Sequence, residues 1–133
     1  MQLKDLENFE VLGYVQNISN IFIRGLKSLD ICKRPIHCSD LKREVLYIKD
    51  QNSWEKDTAQ INITTAIKKI AHKNVRQLPI WEKENPSYID IDHKKNDQHM
   101  KIVYQVMGGL EEDESNYNKI IKNVMKETII EKT

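Results

Sequence analysis

Apolar residues recur at helical spacing over four stretches of the chain and alternate at strand spacing over one. Val11, Val15, Ile18, Phe22, Leu26 and Leu29 follow one another at three- and four-residue steps, which predicts a helix over about residues 4–29. Tyr14, Ile21 and Ile23 widen its apolar face, so the helix is expected to be buried on more than one side or to meet a partner. Gly13 and Gly25 weaken it, and Gly25 is the expected place for a kink or an early end.

Pro35 interrupts regular structure and biases Arg34 toward an extended backbone. Ser39 or Asp40 is then placed to cap a short helical turn through Leu41 to Arg43, since a side-chain oxygen there can accept from free amides. In "EVLYIKDQNSWEKD", Val45, Tyr47 and Lys49 alternate with Leu46 and Ile48, a strand pattern rich in β-branched and aromatic residues. "DQNS" is turn chemistry and Trp54 opens a return strand, giving a β-hairpin. A two-stranded hairpin is barely stable alone, so it is expected to rest on helices.

The second helix is predicted over about residues 62–77, with Ile63, Ile67, Ile70 and Leu78 on one face beside Ala71 and Val75, and with Pro79 ending it and Trp81 folding back on its last turn. After the polar stretch "EKENPSYIDIDHKKND", Asn96 or Asp97 is placed to cap a third helix carrying Met100, Val103, Tyr104 and Met107, stopped by Gly108-Gly109. "LEEDESN" is an acidic lead-in that suits the positive end of a fourth helix, whose apolar face is Tyr117, Ile120, Ile121, Val124 and Met125. "TIIEK" is expected to end as a short strand extending the hairpin. The fold class is therefore mainly α with a small β element: about four helices packed with one hairpin, in a single domain over residues 1–133.

Composition fits that picture. Only four glycines and three prolines in 133 residues leave little room for long irregular segments or an all-β architecture. The formal net charge of +1 argues against a generic polyanion binder, so any basic function depends on local clustering. Residues 31–85 hold eleven Lys/Arg against seven Asp/Glu, whereas residues 86–133 hold seven against nine. Two cysteines make no disulfide framework, no leader peptide is recognised and no apolar run reaches the ~20 residues of a membrane span. An intracellular setting with free thiols is expected.

Three kinds of chemistry compete. Cys32, His37, Cys38 and His72 are the residue types of a zinc site, but their spacing lacks the paired pattern of known sites. A buried Cys38, and a His37 bonded to the backbone near Pro35, explains them better. Cys38 with His37 or His72 and Asp40 contains the parts of a thiol catalyst without a sequence signature that fixes its geometry. His93 and His99 with Asp90, Asp92 and Asp97 suggest a hydrolytic metal cluster at first sight, but a charged connection of this kind is ordinarily solvated surface. No cofactor and no catalytic residue is assigned.

The cations carry more. Lys33, Arg34, Lys42, Arg43, Lys49 and Lys56 surround the hairpin, and Lys68, Lys69, Lys73 and Arg76 lie mostly on one side of the following helix. With the hairpin lying along that helix, the ten share one face fit for phosphates. Tyr47 and Trp54 would stack on bases if exposed, but core positions are the preferred reading for both.

The segments "KRPIHCSDLKREVLYIKDQNSWEKD", "AIKKIAHKNVRQLPIW", "NDQHMKIVYQVMGG" and "YNKIIKNVMKE" resemble a signature of giant DNA virus proteins of the mimivirus-like group, over nearly the whole chain. In that family the module is similar to the C-terminal part of longer proteins, often preceded by a zinc-finger-like segment and a coiled coil. These 133 residues contain neither, and are either a free-standing version or a fragment. No reaction is assigned to the family. The resemblance implies a viral, intracellular module of the host cytoplasm, viral factory or virion, associated with nucleic acid or a scaffold. The expected role is non-enzymatic nucleic-acid binding, with phosphates held by Lys33, Arg34, Lys42, Arg43, Lys68, Lys69, Lys73 and Arg76. The alternative is self-association or docking to a viral protein through Val11, Tyr14, Ile18, Ile21 and Ile23; no membrane partner is expected.

Overall fold

The computed structural model describes residues 3–50, 52–109 and 112–129, without the side chains of Cys32 and Asp50. Four helices, α1 (Leu3–Lys27), α2 (Ile61–Glu84), α3 (Lys94–Val106) and α4 (Asp113–Thr128), pack with a three-stranded antiparallel sheet of β1 (Ile36–Asp40), β2 (Val45–Asp50) and β3 (Ser53–Lys56) in spatial order β1-β2-β3. Helix α1 is the hub and packs on α2, α3 and α4.

Helix α1 doubles back on itself. Gly13 takes φ 78° and ψ 175°, a backbone conformation essentially restricted to glycine. A straight helix would hold Asp5 and Arg24 about 28 Å apart at 1.5 Å per residue. Instead the Arg24 guanidinium grips the Asp5 carboxylate with two bonds of 3.0 and 2.9 Å, and Asn17 Nδ2 donates to the Asp5 carbonyl. The corner resets the helical phase. Leu6 and Phe9 from the first arm join Tyr14, Ile18, Phe22 and Leu26 from the second in the core, while Val11 is left 82% exposed and Leu29 is exposed. The break falls at Gly13, not at Gly25, which sits within the second arm.

Helix α2 runs through Pro79 to Glu84, seven residues beyond its predicted end. A proline inside a helix costs about 3 kcal/mol. Burying a large aromatic removes roughly 150–250 Å² from water, about 4–6 kcal/mol at 25 cal/mol/Å². Trp81 is fully buried and its indole N–H donates to Glu7 Oε1 at 3.1 Å, so continuing the helix is the favoured outcome. At the other end, Asp57 accepts from the amides of Asn62 and Ile63 at 2.9 and 3.0 Å. It satisfies two free helix donors and ties β3 to α2.

Helix α3 is capped by His93, whose Nδ1 accepts from the Lys95 amide, rather than by Asn96 or Asp97. It turns Ile102 and Val106 inward and leaves Met100, Tyr104 and Met107 exposed, the reverse of the predicted face. Gly108 and Gly109 stop it with positive φ. Helix α4 buries Ile120, Ile121, Val124 and Met125 with half-buried Tyr117, as its periodicity predicts.

The predicted hairpin is β2 and β3, with Asn52 in the left-handed region at φ 70° in the turn between them. The sheet has a third, unpredicted strand, β1, which ends at Asp40, one of the two expected caps of a turn over Leu41 to Arg43. Asp40 does accept from the Arg43 amide, but the turn it stabilises reverses the chain into β2. Cys38 also bridges in parallel to Ile129 at the end of α4; the rest of "TIIEK" beyond Ile129 lies outside the described residues, as do Gln51 of the hairpin turn and Leu110 and Glu111 of the acidic lead-in.

Candidate functional site

The register of the sheet separates its two faces. Ile36 pairs with Ile48 and Cys38 with Leu46, and Ile36, Cys38 and Leu46 are buried with Ile48 packed against them. This face meets the helices, chiefly α4 through β1. The opposite face carries the other residues of each strand. His37 pairs with Tyr47, Tyr47 with Lys56, and Lys49 with Trp54, which makes a patch of three rings and two lysines. The rings of His37 and Trp54 approach to 4.8 Å between centroids, across the middle strand. Trp54 is 42% exposed, and His37 and Tyr47 are half-buried.

The preference for Tyr47 and Trp54 as core residues is thus corrected: both stand on the solvent side of the sheet. Apolar residues occur on both parities of β2, so the strand alone does not reveal its inner face. The short β1, with buried Ile36 and Cys38, decides it.

Charge complements the rings. Arg34 lies close enough to His37 that its charge, after burial, helps to lower the imidazole pKa. Arg34 Nε also donates to the Leu29 carbonyl, which fixes the side chain. Lys33, Lys42, Lys49 and Lys56 are exposed. Arg43 is 3.8 Å from Asp40, with 85% of its side chain in solvent. Exposed ion pairs of this kind contribute little, so Arg43 remains free to meet another anion.

On α2, Lys69, His72, Lys73 and Arg76 form one outward row, opposite the buried Ile63, Ile67 and Asn74. Lys69 and Arg76 are about 10 Å apart along the axis. Lys68 flanks the row and leans over Tyr117 of α4, with Nζ 5.7 Å from the ring centroid. No acidic residue occurs between Ile61 and Trp81. Among the described residues no carboxylate pairs with any of these four Lys/Arg.

The ten cations therefore form two groups, one on the sheet and one on α2, because the sheet leans on α4 instead of lying along α2. Just before the start of α2, Arg43 and Lys56 of the sheet group line one open crevice with Glu44, Asp57 and Gln60. The Asp57 carboxylate already occupies the α2 amides there.

The remaining chemistry is dispersed. His37 and Cys38 point to opposite faces of the sheet, so they cannot share an ion or form a dyad, and Cys38 is buried with its thiol pKa raised, first of all by that burial. The Cys32 side chain lies outside the description. Rather than bonding near Pro35, His37 meets Trp54. His93 caps α3, His99 lies 3.2 Å from Glu82 and against Trp81 and Tyr88, and Asp97 pairs with Lys101. Among the described residues no three His, Cys, Asp or Glu converge to hold a metal. No helix among them is long and apolar enough to cross a membrane. Compared with family models, curated proteins and solved structures, the chain matches none.

Proposed function

We propose that this protein is a non-enzymatic nucleic-acid-binding module that holds phosphates with the cations of α2 and the sheet. The observation that carries the reading is the outer row of α2: Lys69, Lys73 and Arg76 are exposed, lie on a stretch without acidic residues and lack carboxylate partners among the described residues. Like charges along a helix face repel, and a polyanion relieves that repulsion while releasing its own condensed counterions. Lys33, Arg34, Lys42, Arg43 and Lys68 are the further phosphate contacts in this reading, with the sheet group reaching the backbone on either side of the Arg43–Lys56 crevice. The resemblance to giant-virus modules is compatible with this role. Fluorescence anisotropy of labelled DNA and RNA at low salt tests it: micromolar binding that is lost in Lys69→Glu/Lys73→Glu supports the role, and binding unaffected by that reversal removes it.

A second reading, docking to a protein partner, has its own observation. Tyr14 and Ile18 are consumed by the core and Ile21 and Ile23 are half-buried, so the proposed α1 face is largely closed. What stands open is Val11 and Leu12 at the corner, with Met100 and Tyr104 on α3 and Met107 just past its end; Leu12 and Tyr104 line one groove. Light scattering across concentration tests its homo-oligomeric form, which a strictly monomeric species would eliminate.

A further inference from the structure

We propose that the outer face of the sheet takes single-stranded nucleic acid, stacking unpaired bases on Trp54, Tyr47 and His37 while Arg34, Lys49 and Lys56 meet the flanking phosphates. The inference rests on the phosphate-binding reading above and adds the form of ligand that the sheet accepts.

The sheet face has the two components that such binding requires. Aromatic rings offer π-faces to bases of any sequence, and cations beside them track the backbone. Strand register puts His37, Tyr47 and Lys56 in one row and Lys49 and Trp54 in the next, so rings and lysines alternate over adjoining strands. Trp54 is on the edge strand, where all four residues are exposed, and the main helix contact of the sheet is on its other face. The position of Trp54 is not explained by core packing, since the core claims Trp81 and leaves Trp54 out. Burial and the neighbouring Arg34 both favour a neutral His37 ring, which completes the apolar part of the platform without adding charge at neutral pH.

Charge and shape select the occupant. Around the rings stand Arg34, Lys49 and Lys56. The acidic Asp40 lies at the far end of the face, where the Arg43 amide and guanidinium engage it. Glu55 pairs with Ile48 on the opposite parity and so projects from the other side. A duplex keeps its base faces stacked inside and presents only phosphates and groove edges, which cannot use the rings. A single strand presents both base faces and phosphates. Ring stacking and phosphate contact are common to DNA and RNA, so an oligodeoxythymidylate of about 12 nucleotides is a sufficient probe, chosen to cover roughly one small-domain site.

The test compares that labelled single strand with a duplex of equal length, by anisotropy, for the natural protein, Trp54→Ala, Trp54→Phe and Lys69→Glu/Lys73→Glu. Trp54→Ala is expected to weaken single-strand binding by roughly 5- to 100-fold, to leave duplex binding within about 2-fold, and to be largely rescued by Trp54→Phe. Circular dichroism checks that the variants keep their helices, and Trp54→Phe guards against a loss that merely reflects a damaged strand. Intrinsic fluorescence adds a direct readout, since the single strand should quench exposed Trp54 and spare buried Trp81. Single-strand binding that survives Trp54→Ala but falls in Lys69→Glu/Lys73→Glu would overturn the stacking inference and leave the phosphate reading intact. Failure of the natural protein to bind either probe would overturn both.

Discussion

Two glycines of α1 should respond to alanine with opposite sign. Gly13 forms the corner at φ 78°, ψ 175°, and among the described residues a Cβ there would meet only Gln105 Oε1 at 3.5 Å, an ordinary contact. Any cost of Gly13→Ala is therefore backbone strain rather than collision, about 1–3 kcal/mol for a side chain forced into that region. Gly25 lies in the second arm with nothing among the described residues within 4 Å of an added Cβ. Gly25→Ala removes unfolded-chain freedom and favours the helix, for a gain of about 0.5–1 kcal/mol. Thermal unfolding followed by circular dichroism measures both. A domain of this size should show a melting temperature lower by roughly 3–12 °C for Gly13→Ala and higher by roughly 2–4 °C for Gly25→Ala. A D-alanine at position 13, introduced by chemical ligation, adopts positive φ readily and should recover most of the loss. If Gly13→Ala were neutral or stabilising, the two arms would be one continuous helix and the Asp5–Arg24 pairing that depends on the corner would not exist.

Other substitutions probe the remaining supports. Asn74 is fully buried and donates to the Ile70 carbonyl, but its Oδ1 finds no partner among the described residues, so Asn74→Leu should raise stability by about 1–2 kcal/mol, read as a higher urea midpoint. Asp57→Ala removes both amide acceptors at the start of α2 and should cost about 1–2 kcal/mol in the same assay. His37 has its pKa lowered in the fold by burial and then by Arg34, below an ordinary value of 6.5. Above that value both folded and unfolded forms are neutral there and His37 has no effect; as pH falls through it the unfolded chain binds the proton more readily, so stability declines until the folded pKa is passed. Unfolding midpoints between about pH 8 and pH 5 should therefore fall more steeply for the natural protein than for His37→Gln.

Legibility in the sequence depended on whether one local pattern decided an element. The apolar face of helix α4 was readable because Ile120, Ile121, Val124 and Met125 keep the helical period with no glycine or proline between them. Helix α1 was readable as helical but not as a hairpin, since the apolar steps from Val11 to Leu29 continue smoothly across a corner that only the conformation of Gly13 reveals. The end of α2 was hidden because the local penalty of Pro79 is outweighed by the distant pairing of Trp81 with Glu7, 74 positions away in sequence. On α3, apolar residues populate both sides, and packing against α1 selected Ile102 and Val106 over Met100, Tyr104 and Met107. The α2 cations were legible from helical period alone. The ring face of the sheet was not, because it needs β1, a five-residue strand just after a proline, to fix which side of Tyr47 and Trp54 faces solvent.

Salt dependence of binding probes phosphate contact most directly. Anisotropy titrations with a single-stranded oligonucleotide over a series of salt concentrations should give log Kobs falling linearly with log salt, and each of Lys69→Ala, Lys73→Ala and Arg76→Ala should reduce the steepness by about 0.7. Affinity that is flat in salt, or a slope that these three replacements leave unchanged, would contradict a backbone-binding role for α2.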